Sequence, residues 1–105
     1  MAGGRVNLII AGTVRIPPEN LEAFRGHISE MLAASRAEPG CIEYSYAIDV
    51  EDPGLVRVFE VWRDRDAMEA HFRSGHMARW REAWPRFGVS DRRLTTYEIA
   101  GSQPL

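Results

Sequence analysis

Two short runs, residues 41–50 (CIEYSYAIDV) and 55–62 (LVRVFEVW), flank Glu51-Asp52-Pro53-Gly54 and constrain the fold more than any other feature. The Asp-Pro-Gly cluster is a turn signal, and both runs are rich in β-branched and aromatic residues, so 41–62 predicts a β-hairpin. In the first strand Ile42, Tyr44, Tyr46, Ile48 and Val50 share one side, against Cys41, Glu43, Ser45, Ala47 and Asp49. In the second, Val56, Val58, Glu60 and Trp62 oppose Leu55, Arg57, Phe59 and Val61. Neither face is polar enough to stand in water. The chain's own helices can cover one face, and a second subunit is the economical cover for the other.

The remaining elements fall into place around that hairpin. Residues 6–16 (VNLIIAGTVRI) are apolar and β-branched, and predict a first strand ended by Pro17-Pro18. Pro18 suits the first position of a helix, where its missing N–H costs nothing. The helix runs to about Ala37, with Leu21, Phe24, Ile28, Met31 and Leu32 on one face, and stops at Pro39-Gly40. Asp64 can cap a short helix over 65–73, which Ser74 or Gly75 interrupts. A second helical stretch follows, with Met77, Trp80, Trp84 and Phe87 at core spacing and Pro85 near its end. Residues 92–99 predict the last strand, and the tail 101–105 is expected to be loose. The order β-α-β-β-α-β over one domain of 105 residues is the ferredoxin-like α+β arrangement, with an antiparallel sheet.

Charge excludes one class of partner. All 13 basic residues are arginine against 15 acids, for a net charge of −2. They form no basic stripe, which argues against nucleic acid. The single cysteine, Cys41, rules out an intramolecular disulfide and is expected to be buried and inert. No apolar run approaches the ~20 residues of a membrane span, and no long apolar stretch follows Met-Ala-Gly-Gly-Arg. A soluble cytoplasmic protein is the expectation, with no membrane partner.

A family likeness is carried by Glu38-Pro39-Gly40-Cys41 with Tyr44, by Phe59-Glu60-Val61-Trp62, and by residues 64–76 (DRDAMEAHFRSGH). In this joint spacing the chain resembles the antibiotic-biosynthesis monooxygenase family, and within it the small quinol-monooxygenase-like members. The resemblance implies a homodimeric α/β barrel and oxidation of an electron-rich, hydroquinone-like aromatic by O₂ without metal, flavin or haem. Haem-degrading relatives of this fold use an asparagine, a histidine and a tryptophan. The positions for their tryptophan and histidine here carry His71 and Arg81, and Asn7 falls too early, so the haem pattern is absent.

Candidate site residues follow from both lines. His71 lies three residues from Met68 and four from Ala67, on the apolar side of its helix. It is either a cavity base for a phenolic proton, or a core histidine bonded to the backbone. Trp62, Val58 and Met68 are expected to hold a substrate ring, with Glu60, Tyr44 and His76 as further lining. Glu60, beside Trp62, needs a partner, for which Arg57, Arg79 or Arg81 is available. Tyr46 and Tyr97 could bond a quinol oxygen or be ordinary strand aromatics. His71 and His76 stand about 140° apart on a continuous helix, which gives no shared metal site unless the helix breaks at Gly75. No metal and no cofactor are expected. Two readings stay open: a cofactor-independent monooxygenase, or a dimeric module that binds a small apolar molecule without turnover.

Overall fold

The structure is a computed structural model and describes residues 7–105; the expected start of the first strand at Val6 lies outside that range. The elements are β1 (Leu8–Arg15), α1 (Pro18–Arg36), β2 (Cys41–Ile48), β3 (Leu55–Trp62), α2 (Arg65–Phe72), α3 (Gly75–Phe87) and β4 (Ser90–Glu98). The chain is thus a ferredoxin-like α+β domain whose last crossover holds two helices. Asp64 caps α2 by accepting the Ala67 N–H at 2.9 Å. Ser74 ends the first helical piece and caps the second, accepting from Met77. Two caps in ten residues make the break between α2 and α3 a built feature. Pro85 sits inside α3, near an end closed by left-handed Gly88 (φ 74°).

The sheet order is β2-β3-β1-β4, antiparallel throughout. Its inner face carries Leu8, Ile10, Val14, Tyr44, Val56, Val58, Glu60 and Trp62 against the helices. The stripe expected on α1 packs there, where the Phe24 ring stacks on Trp80 and Phe87 at centroid distances of 4.8 and 4.2 Å. No helix among the described residues packs on the outer face, where Phe59 and Tyr97 stand 36 and 52% exposed.

The alternation read for β2 holds only in its middle. The ladder shifts between Cys41 and Glu43, so Ile42 is the extra residue of a bulge and is 57% exposed. The bulge also turns Cys41 to the side of Tyr44, opposite to the simple alternation. Cys41 is half-buried there, and burial pushes its thiol up, which keeps it protonated and unreactive. Val50 lies beyond the strand end and is fully exposed.

Candidate functional site

The candidate site is assembled where three elements converge. The end of α1 is followed by Glu38-Pro39-Gly40, where proline prevents further helix. The loop lies directly on α2: a Cβ at Gly40 would overlap the Ala67 side chain, and the Gly40 carbonyl accepts the Arg63 N–H at 2.8 Å. That close approach aims Glu38 at the inner face of α2. His71 stands there, one turn after Met68, wholly buried. The break at Ser74 then swings the first turn of α3 around, and His76 returns to the same carboxylate.

The result is a continuous polar chain from the core to the rim, in which hydrogen bonds join Tyr44, His71 and Glu38 and a close charge contact joins Glu38 to His76. Tyr44 Oη lies 3.3 Å from His71 Nε2. His71 Nδ1 lies 3.0 Å from Glu38 Oε1, which also takes His76 Nε2 at 2.6 Å. A carboxylate only accepts, so it fixes the tautomer: Nδ1–H of His71 donates to Glu38, and its Nε2 accepts the Tyr44 O–H. Burial pulls the His71 imidazole below its ordinary value, and Glu38 opposes this only in part. His71 is therefore a neutral base near pH 7. It is wedged between rings, 4.6 Å from Trp62 and 5.2 Å from Tyr44 between centroids.

Next to this chain lies a second polar centre. Trp62 Nε1–H donates to Glu60 Oε1 at 2.9 Å. Burial raises the Glu60 carboxyl above its usual range, and the Trp62 hydrogen bond offsets part of that. Tyr44 and Tyr46 are both raised, chiefly by burial, so both stay protonated donors. The arginine expected beside Glu60 is not its hydrogen-bond partner. Arg57 pairs with Asp49 at 3.0 Å, Arg79 reaches Glu30 at 3.9 Å, and Arg81 bonds the Phe72 carbonyl. A charge that does favour the Glu60 anion is Arg92, which the sequence did not single out.

The residues expected to hold a ring come together with one exception. Trp62, Tyr44, Met68 and Glu60 are buried around His71 with His76 at the rim, whereas Val58, also buried, lies four residues from Trp62 along β3, opposite Tyr46. Tyr97 is not among them: it stands on the outer face of the sheet. The expected 140° separation of the two histidines does not apply across the capped break, and their ring centroids are 5.8 Å apart. Glu38 was visible only as part of a motif, because nothing local says that a residue after a helix end will meet one 33 positions later. Two openings flank the region. A groove of about 420 Å³ between α1 and β2 is lined by Leu21, Ile28, Leu32, Tyr46, Ile48 and Val56. A pocket of about 360 Å³ opens at Glu38, Arg63, Asp66, Ser74 and His76.

Fold and site define a class: a ferredoxin-like domain with an ordered tyrosine–histidine–carboxylate chain under the sheet. The chain belongs to the antibiotic biosynthesis monooxygenase family, whose profile matches residues 7–83. Among curated relatives, the uncharacterised protein sll1783 of Synechocystis is 32% identical over 98 residues, covering 93% of this chain and 67% of that one. The candidate monooxygenase YcnE of Bacillus subtilis is 26% identical over 69 residues, covering 66% of this chain and 73% of that protein. Among solved structures, a candidate antibiotic biosynthesis monooxygenase of Deinococcus radiodurans superposes with a TM-score of 0.85 at 26% identity, covering 93% and 97% of the two chains. No helix among the described residues is long and apolar enough to cross a membrane.

Proposed function

We propose that the protein is a monooxygenase that oxidises a small, electron-rich, hydroquinone-like aromatic with O₂, works as a homodimer and uses His71 as its proton acceptor. The observation that carries this reading is the chain Tyr44–His71–Glu38–His76, which joins a dry core to a surface pocket. Removing a phenolic proton leaves a delocalised anion rich enough in electrons to reduce O₂ itself. For a hydroquinone the net change is quinol plus O₂ giving a hydroxyquinone plus water: one oxygen atom enters at a ring C–H, the other leaves as water, and all four electrons come from the substrate. The protein's part is to take the proton and exclude water. His71 is suited to it: neutral at working pH, oriented by Glu38, and able to share a proton toward His76 and solvent. The groove along α1 and β2, whose Leu21, Ile28 and Leu32 wall is edged by Glu22, Arg25 and Ser29, is a berth for the ring, with Tyr46 on its wall and Tyr44 behind it.

A second reading has an observation of its own. Both His71 nitrogens already have partners and the ring is wholly buried, which suits a core histidine in a module that only binds a small apolar molecule. Oxygen uptake with a panel of quinols and no added cofactor separates the two. Under the first reading the wild type consumes O₂, and His71→Ala cuts turnover by roughly 10²–10⁴-fold, the usual range for a positioned acid–base group. Under the second, the variant chiefly loses stability, on the order of 1–3 kcal/mol, from the partners left unsatisfied. A lower melting temperature with unchanged specific activity would overturn the catalytic role of His71. No uptake with any quinol would leave the binding module standing.

A further inference from the structure

Two of the chain's three histidines converge on one carboxylate, and that arrangement has a use beyond proton traffic. One ligand-type atom from each of Glu38, His71 and His76 lies within 4.8 Å of the other two. The three come from separate elements: the loop after α1, the buried face of α2 and the first turn of α3. We propose that Glu38, His71 and His76 form a site for a divalent transition cation of the zinc type, with a further coordination position open to the pocket at Asp66 and Ser74.

Two imidazoles and one carboxylate are a three-residue ligand set that leaves zinc an open fourth position. The ligand chemistry suits a dication: imidazole nitrogens bind a metal in their neutral form, and with a single carboxylate the bound site stays net positive and can take water or hydroxide. The geometry is close to what is needed. Bonds of ~2.1 Å in a tetrahedron set ligand atoms about 3.4 Å apart. The two histidine nitrogens now stand 3.0 and 2.6 Å from Glu38 Oε1, so a small outward turn of His76 and Glu38 admits the ion. Both are partly exposed and can make that turn, while His71 stays fixed by its neighbours. Ligation through His71 Nδ1 moves the ring proton to Nε2, where the Tyr44 oxygen accepts it. That supplies the outer hydrogen bond that ligating histidines characteristically make. The pocket in front holds Asp66 as well as Arg63, whose guanidinium is tied to Asp64 at 3.3 Å. This inference does not rest on the monooxygenase reading. Cation and hydrogen-bonded chain are alternative occupants of the same atoms, so Zn²⁺ is expected to suppress any turnover that runs through His71.

Calorimetric titration of the purified full chain with Zn²⁺ tests the site directly, whatever the protein's activity. The wild type should take up one Zn²⁺ per chain with a micromolar or tighter Kd. Glu38→Gln and His76→Gln, both at partly exposed positions, should each weaken uptake tenfold or more, with circular dichroism confirming that they fold. His27→Ala removes the remaining histidine, which lies against Arg86, and Cys41→Ser removes the only thiol; both should bind as the wild type does. The proposal is overturned if the wild type shows no saturable uptake, if both glutamine variants bind undiminished, or if uptake disappears in His27→Ala or Cys41→Ser.

Discussion

Glu60 is the buried carboxyl among the described residues, and its protonation couples the site to pH. Its ordinary value is 4.5 and burial raises it, so the folded protein holds this proton more tightly than the unfolded chain does. The stability this contributes is complete below about pH 4.5 and is lost as pH rises through the folded-state value. Glu60→Gln keeps an oxygen for the Trp62 N–H and has no proton to lose. The variant should match the wild type near pH 4 and gain on it steadily as pH rises toward 8. Urea unfolding at the two pH values checks this, and a difference that does not change with pH would contradict it. The need for a partner at Glu60 was legible in the sequence, since an acid next to Trp62 on an apolar face cannot go unbonded. Its identity was not. Trp62, two residues along the same face, supplies the bond, and the arginines on offer are held by Asp49, Glu30 and a helix carbonyl.

At the scale of elements, the site depends on how two turns are shaped. Gly40 lets the loop after α1 lie against Ala67, and Ser74 lets α3 start in a new direction. Gly40→Ala should therefore act as an overpacking change, costing roughly 1–3 kcal/mol. Its signature lies beyond stability: lifting the loop draws Glu38 away from both imidazoles. The Nδ1–H proton of His71 should then lose its slow exchange and downfield position in the NMR spectrum, while the melting transition stays cooperative. A variant with an unaltered imidazole signal would show that the loop does not position Glu38. Element types and their order were readable from periodicity and punctuation, down to the cap at Asp64. The bulge at Ile42 was not, because a one-residue insertion leaves the apolar alternation intact in sequence while reversing the faces in space. The same limit hid the His71–His76 meeting: the interruption was visible, but its angle is set by tertiary packing.

For the molecule as a whole, the unresolved balance is between its two sheet faces. The inner face is closed by three helices and holds the site. The outer face presents Ile9 and Val61 side by side, Ala11 beside Phe59, and Tyr97 next to Ile9 on the far strand, with Arg57, Glu43 and Arg93 toward the margins. An apolar patch in the middle of a sheet, rimmed by charge, is the pattern of a face that meets a protein partner. A second copy of the chain would place the same patch against itself, and a two-fold interface of this kind is self-complementary by construction. Light scattering at micromolar concentration should then give about twice the 11.9 kDa chain mass. Phe59 lies at the centre of the patch and points away from the site, so Phe59→Glu should leave the helix-side core intact and bring two buried charges together across the interface. The variant is expected to be a folded monomer, with helical circular dichroism retained and Tm lowered. A wild type that scatters as a monomer, or a variant that stays dimeric, would remove the outer face as the contact. In that case the sheet must tolerate Phe59 and Tyr97 in water, and nothing in the packing would then require a partner subunit.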